Sequence, residues 1–199
     1  IGDFAGFVAA TFLRGVPFAQ IPTTLLASVD SSVGGKVAVN VDLGKNMVGS
    51  FYHPRFVFCN TTVFQTLSEK EWICGLAEMA KHSFMEADLK MLSFLETNAI
   101  RMRDPKSAQL AQAILANVSF KAGIVAQDER EGGLRAILNL GHTTAHAIES
   151  VTGYNRFSHG EAVARGLATM LFLSQDVMGL PAQDAKRLFD CLAVLNLPR

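Results

Sequence analysis

The rhythm of apolar and polar positions changes once along the chain. Up to about residue 67 the apolar residues come in short runs between turns that carry Gly and Pro. Phe56-Val57-Phe58 is one such run, and Val37, Val39 and Val41 alternate with other residues at the two-residue period of a pleated strand. This stretch predicts a helix plus strands and loops of an α/β layer. From Ser68 onward the period is helical. Ser68-Glu69-Lys70-Glu71 has the Ser-x-x-Glu form of a capping box, which satisfies amides that a helix start leaves without partners. Pro105 introduces a predicted helix over roughly 106–127. A second box, Ser158-His159-Gly160-Glu161, opens a long apolar helix predicted through Leu173. No internal repeat or long linker is found. The expected organisation is therefore an α/β segment over 1–67 followed by an all-α unit over 68–199.

Charge sharpens that division. The 199 residues carry 18 basic and 18 acidic side chains, yet residues 1–67 hold only Asp3, Arg14, Asp30, Lys36, Asp42, Lys45 and Arg55. Such an uneven spread predicts two structural regimes. With 49% hydrophobic residues and a mean hydropathy of +0.24, low-complexity disorder is excluded and a real core is expected. Zero net charge and a pI near 7.1 supply no basic face for a nucleic-acid backbone. The charge-free stretch Gly15 to Val29 is broken by Pro17 and Pro22 and is too short to cross a bilayer, so no membrane span is expected. Cys59, Cys74 and Cys191 lie far apart without a CxxC, and read as core thiols in a reducing compartment, the cytoplasm. The sequence opens at Ile1 without a methionine or a signal-peptide pattern, which suggests a piece of a larger protein.

Several constellations are able to carry chemistry. Arg135, Asn139, His142 and His146 are spaced four, three and four, which would place them on one helical face. His142 and His146 at i,i+4 are spaced to share a metal, although such pairs also occur in ordinary packing. His159 follows after a short loop, and the helix after Ser68 puts Glu78, Lys81 and His82 on one side. Two histidines and a carboxylate with one open position form a catalytic zinc arrangement, but spacing does not choose the ligand set. The plain alternative makes Glu78 and Lys81 an exposed helix ion pair. Lys121 shares a face with Ile114, Val118 and Val125, so it either snorkels to an edge or meets an anion in a polar cavity. The glycine-rich stretch from Asp30 to Asn46 offers a weak phosphate signal against a background of flexible turns, and it is not a P-loop. His53 reads as a turn residue, Trp72 as packing near a helix start and the methionines as core filler.

Taken in order, these stretches resemble the 3-dehydroquinate synthase family of sugar phosphate cyclases. The resemblance rests on Gly2-Asp3-Phe-Ala-Gly-Phe-Val-Ala-Ala-Thr11, Ile21-Pro-Thr-Thr-Leu-Leu-Ala27, Val29-Asp-Ser-Ser-Val-Gly-Gly-Lys36, Leu43-Gly-Lys-Asn46 and Gly75-Leu-Ala-Glu-Met-Ala-Lys81. It continues through Asp128-Glu-Arg-Glu-Gly-Gly-Leu-Arg135, Leu138-Asn-Leu-Gly-His-Thr143 and His159-Gly-Glu-Ala-Val163. It covers nearly the whole chain. It implies a Rossmann-like α/β domain that binds NAD, of which only the C-terminal part is present, then a helical domain carrying a divalent metal, zinc or cobalt, with the active site between them.

Position by position, the resemblance implies Glu78, His142 and His159 as metal ligands. Asp30, Lys36, Asn46, Lys81, Lys121, Arg135, Asn139 and His146 match residues around the substrate, with Lys81, Lys121, Arg135, Asn139 and His146 in catalytic roles. Gly2, Asp3, Thr23, Thr24, Lys36, Lys45, Val63, Phe64, Gln65 and Thr66 match positions near NAD. Arg14 matches an arginine that reaches a neighbouring subunit's phosphate site, which implies a homodimer. The implied reaction is a lyase step of the shikimate pathway of aromatic amino acid biosynthesis. 3-Deoxy-D-arabino-heptulosonate 7-phosphate becomes 3-dehydroquinate and phosphate by transient oxidation, elimination, reduction and intramolecular aldol closure. Departures from the family pattern are Ala145 for a common glycine, His82 for a frequent tyrosine and Val37 for a common threonine; none removes a matched ligand or charge. Two other readings are a related cyclase using sedoheptulose 7-phosphate or glucose 6-phosphate, and a non-catalytic metal-binding helical domain.

Overall fold

The computed structural model describes residues 1–42 and 44–199; Leu43, the first residue of the Leu43–Asn46 motif, lies outside the described residues. The N-terminal region opens with helix α1 (Gly2–Thr11), followed by an antiparallel hairpin of β1 (Lys36–Val41) and β2 (Gly44–Phe51). Lys36 pairs with Phe51 and Val39 with Val48, and the register shifts between Val39 and Val41. The expected alternation of Val37, Val39 and Val41 is thus a strand, but only Val37 is buried, against α1. Between α1 and the hairpin a one-turn π-helix (Ala27–Ser31) carries Asp30.

Phe56-Val57-Phe58 does not form the expected strand. Its pairing is a single parallel bridge of Val57 to Gln20, and Phe56 and Phe58 remain exposed. A strand needs a partner several residues long, whereas Gln20 is flanked at short range by Pro17 and Pro22, which have no amide to donate.

Six helices follow: α2 (Glu69–Met85), α3 (Lys90–Asn98), α4 (Ala108–Gln127), α5 (His142–Val151), α6 (His159–Met178) and α7 (Ala182–Val194). Their starts follow the sequence closely. Ser158 and Glu161 form the full reciprocal capping box. At Ser68 the hydroxyl accepts from the Glu71 amide, and Ser107, two residues after Pro105, caps α4 through the Leu110 amide. Helix α6 runs five residues beyond the expected Leu173, because nothing breaks it before Gly179, whose left-handed φ of 71° supplies the C-cap.

α2 is the axis of the helical region, buried along most of its length from Trp72 to Ser83. Leu76 and Met79 from α2 share one core with Leu92 and Leu95 from α3, Leu110 from α4, Leu167 from α6 and Leu192 from α7. Trp72 meets Phe64 edge to face at 6.0 Å, which ties the short 3-10 helix Thr61–Thr66 to the start of α2. Leu25, fully buried on Gly75, fixes the π-helix beside the same helix. Cys74 and Cys191 are buried and Cys59 half-buried, as expected of core thiols. Met79, Met91 and Met102 fill the core, while Met47 and Met178 are exposed instead.

Candidate functional site

Two helix starts and the middle of a third helix converge on one point. His142 is the first residue of α5 and His159 the first of α6, while Glu78 sits halfway along α2. The approach depends on residues without side chains. At Gly160 a Cβ would lie 2.3 Å from the Cα of Cys74, so only glycine lets the first turn of α6 rest on α2 one turn before Glu78. A Cβ on Gly166 would lie 2.1 Å from the Gly141 carbonyl oxygen, and this contact holds α5 against α6.

The outcome is a cluster around one carboxylate oxygen. His142 Nε2 lies 3.6 Å and His159 Nε2 3.5 Å from Glu78 Oε1. The donor atoms of Glu78, His142 and His159 all fall within 4.8 Å of one another. Glu78 is fully buried, and its Oε1 has no hydrogen-bond partner. Leaving such an acceptor unsatisfied costs about 1–3 kcal/mol or more. A divalent cation bound between the three side chains would satisfy it, and one carboxylate with two imidazoles is a donor set suited to zinc. The residues present therefore fit the metal.

Electrostatics support a site built around charge. Burial acts to raise the Glu78 carboxyl, but the Lys81 ammonium beside it prevails and holds it below the usual carboxylate range. Lys81 is raised in turn: burial opposes its charge, and Glu78 and Asp30 more than compensate. This pair is buried, so the plain alternative of an exposed helix ion pair does not hold. The two histidines diverge. Burial lowers His142, whereas at His159 burial is outweighed by Glu78 and Glu149, which raise it.

A small polar cavity of about 100 Å³ adjoins this cluster, walled by Asp30, Lys36, Lys81, Lys121, Arg135, Asn139 and His142, with Glu131 and Leu138. Of the two readings of Lys121 the polar one holds: its Nζ donates to the Asp30 carbonyl at 2.5 Å and to Asp30 Oδ1 at 2.7 Å. Burial would raise Asp30, yet Lys121 and Lys81 together hold it far below the carboxylate range. Arg135, 2% exposed, donates from Nη2 to the Gly34 carbonyl at 2.8 Å and from Nη1 to the Glu129 carbonyl. Its backbone amide is one of three, with those of Gly132 and Gly133, that donate to the Asp128 carboxylate.

The single helical face proposed for Arg135, Asn139, His142 and His146 is not present. A 3-10 helix, Leu134–Asn139, holds the first two, and α5 begins only after Gly141, whose φ of 78° breaks the register. The break is imposed by the close Gly141–Gly166 contact. Arg135, Asn139 and His142 nonetheless meet at the same cavity. His146 is exposed beside it, its ring 5.5 Å from that of His142, and lies outside the metal-capable cluster.

The remaining matched residues form a second group. Gly2, Asp3, Thr23 and Thr24 line a cavity of about 490 Å³. Asp3 also borders a groove along the hairpin with Asn46 and Lys36, and Lys36 borders the metal-side cavity, so the three spaces share walls. Asn46, at φ 57°, donates its amide to Asn40 Oδ1. Of the stretch 63–66, Val63, Gln65 and Thr66 are exposed, but the Phe64 side chain is committed to the core. Arg14 is exposed in a left-handed turn, Leu13 to Gly15. His53, expected as a turn residue, lies 3.2 Å from Glu129.

Sequence reasoning missed two carboxylates. Glu131 pairs with Lys36 and accepts from Asn139 Nδ2 at 2.9 Å. Glu149 faces both His159 and Lys45. Glu131 lies inside the Asp128–Arg135 motif, and Glu149 is two helical turns beyond His142, a spacing that was available as a signal.

Comparison with known proteins decides what these features have in common. The profile for the C-terminal part of 3-dehydroquinate synthase matches residues 75–199, and that for the N-terminal part matches residues 1–74. The chain belongs to the 3-dehydroquinate synthase family. A 3-dehydroquinate synthase from Leptospira interrogans is 54% identical over 198 residues, covering 100% of this chain and 55% of that protein. One from Geotalea uraniireducens is 47% identical over 199 residues, again 100% of this chain and 55% of the relative. The chain thus spans about half the length of the curated relatives it matches. Among solved structures, a 2-epi-5-epi-valiolone synthase from Streptomyces hygroscopicus, with NAD+ and Zn2+ bound, shares the fold at a TM-score of 0.89 and 24% identity, covering 98% of this chain and 54% of its own. A 2-deoxy-scyllo-inosose synthase complexed with carbaglucose-6-phosphate, NAD+ and Co2+ gives a TM-score of 0.87 and 32% identity, covering 98% and 52%. Among the described residues, no helix is long and apolar enough to cross a membrane.

Proposed function

We propose that this chain is the metal- and substrate-binding portion of a 3-dehydroquinate synthase, a lyase that acts with NAD. The observation that carries the reading is the adjacency of the Glu78–His142–His159 cluster to a cavity ringed by Lys81, Lys121, Arg135 and Asn139. Glu78, His142 and His159 would hold a divalent cation, zinc or cobalt, which supplies Lewis-acid polarisation of a substrate oxygen. The ammonium groups of Lys81 and Lys121 and the Arg135 guanidinium offset the substrate's carboxylate and phosphate charge. Fixed by the Gly34 and Glu129 carbonyls, Arg135 cannot swing away, which favours one substrate orientation. Asn139 and Asp30 have polar atoms suited to hydroxyl groups, and His146, exposed at the rim, is placed to move a proton.

The cavity of Gly2, Asp3, Thr23 and Thr24 is the proposed NAD side. It shares walls with the sugar side through Asp3 and Lys36, as hydride exchange between the two requires. Lys45, Val63, Gln65 and Thr66 are further proposed cofactor contacts, Phe64 acting only through its backbone. Asn46 is assigned to the substrate from the hairpin side. Residues 1–67 and 68–199 are read as the end of the NAD-binding domain and the helical domain, working in the cytoplasm. The turn at Arg14 would project its guanidinium toward a second subunit of a homodimer. Because the chain spans about 55% of its relatives, we further propose that alone it binds metal and sugar phosphate without turnover.

Calorimetric titration of the zinc-loaded chain with sugar phosphates tests this. 3-Deoxy-D-arabino-heptulosonate 7-phosphate should bind at least tenfold more tightly than glucose 6-phosphate or sedoheptulose 7-phosphate, which lack its carboxylate. Tighter binding of either carboxylate-free sugar phosphate would move the assignment to a related cyclase; binding of zinc with no sugar phosphate would leave a metal-binding domain alone.

A further inference from the structure

The His159 ring lies between two carboxylates. Its Nε2 is 3.5 Å from Glu78 Oε1, and its Nδ1 is 3.5 Å from Glu149 Oε1. Glu149 is 5% exposed, near the end of α5. Its other neighbour is Lys45 of β2, with Nζ 3.6 Å from the same Oε1 and 4.0 Å from the centre of the Tyr154 ring. A neutral imidazole carries one N–H. When Nε2 gives its lone pair to a cation, the proton must reside on Nδ1, where it needs an acceptor.

His142 solves the same problem differently. Its Nδ1 faces the Leu140 carbonyl at 3.3 Å, a main-chain group two residues away that is fixed by the turn at Gly141. That acceptor is neutral and local. For His159 the acceptor is charged, belongs to another helix, and is shared with a lysine of the hairpin.

We propose that Glu149 is a positioning residue for the metal site: it fixes the tautomer and angle of His159, and Lys45 holds it in place, so that the hairpin acts on the metal through one buried carboxylate. The inference rests on the reading of Glu78, His142 and His159 as ligands. It has a functional corollary. Lys45 is also a proposed cofactor contact, and drawing it away toward a bound dinucleotide would loosen His159, which couples the two halves of the site through a single side chain.

The test is zinc affinity of this chain, measured by competition with a chromophoric chelator, alongside thermal unfolding of the metal-free forms. Glu149→Gln preserves shape and removes the charge; it should weaken zinc binding by about 10–100-fold. Lys45→Met, at an exposed hairpin position where folding is not at stake, should weaken it by about threefold, a fraction of that range. If Glu149→Gln lowers metal-free stability yet binds zinc within twofold of the unmodified chain, Glu149 is structural and the proposal is overturned. Should Glu149→Gln not fold, Lys45→Met decides: unchanged affinity overturns the coupling, and a loss upholds it. Failure of the unmodified chain to bind zinc would instead overturn the ligand assignment itself.

Discussion

In residues 1–67, Phe4, Phe12, Leu13, Ile21, Phe56 and Phe58 turn more than half of their surface to water, whereas in residues 68–199 Glu78, Lys81, His82, Asn117 and Arg135 are almost wholly withdrawn from it. One region exposes what is normally buried and the other buries what is normally exposed. The helical region has an exposed apolar group of its own, Phe172, Leu173, Val177 and Met178 in the last turns of α6, besides scattered residues such as Ile100 and Val151. In the first region the exposed residues align: Phe4, Val8 and Phe12 follow one another at four-residue spacing along α1 and into the turn after it. Apolar exposure there marks a face without a covering layer. Polar burial in the helical region marks the place where charge has a task, because ions are kept from water only when partners or function repay the desolvation.

The sharpest way to break this contrast is to remove one partner of the buried pair. Glu78→Ala would leave Lys81 buried without its nearest counter-charge, and should cost about 3–5 kcal/mol in urea unfolding of the metal-free chain. Glu78→Leu combined with Lys81→Met should restore most of that stability while zinc binding stays abolished. If Glu78→Ala unfolded at the same urea concentration as the parent, the pair would be a surface-like contact despite its burial.

Apolar truncations probe the other side. Leu92→Ala, in the fully buried core, should cost about 2–5 kcal/mol. Phe58→Ala, mostly exposed, should change stability by no more than about 0.5 kcal/mol. Equal losses at the two positions would show that the apolar face of the first region is covered in solution.

The smallest expected effect concerns pH. Amide donation, first from Arg135 and then from Gly132 and Gly133, holds the Asp128 carboxyl below its ordinary value of 3.8. A depressed folded-state value means that this contribution is fully present above about pH 4 and is lost as pH falls through the folded-state value. The hydrogen-exchange protection factors of the Gly132, Gly133 and Arg135 amides should therefore fall on acidification below pH 4, and Asp128→Asn should show part of that loss at neutral pH. Identical protection at pH 3 and pH 7 would remove Asp128 as the anchor of the Arg135 loop.

How much of this was legible depends on whether the cause is local. Helix starts at Ser68 and Ser158 are written in a few adjacent residues, and they stand where the pattern puts them. The Phe56–Phe58 run carries the same local signal as a strand, but pairing needs a partner elsewhere, and only Gln20 meets it. Arg135, Asn139 and His142 do meet, but not by the route their spacing predicts. Periodicity put them on one helix, whereas a glycine contact between α5 and α6 breaks that helix and still delivers the three side chains to one cavity. Glu149 stands two turns beyond His142 on α5, but the partners that give it meaning, Lys45 and His159, lie on other elements.

Glu78, His142 and His159 lie far apart in the sequence and belong to three different helices. A cation held by all three, as proposed, would therefore be a cross-link between helices. In the unfolded chain it would have to close two loops at once, so it favours the folded state in the way a disulfide does, by penalising the alternatives. On the proposed ligand reading, metal supply would then set stability as well: each tenfold rise in free cation above the dissociation constant would deepen the folded state by about 1.4 kcal/mol.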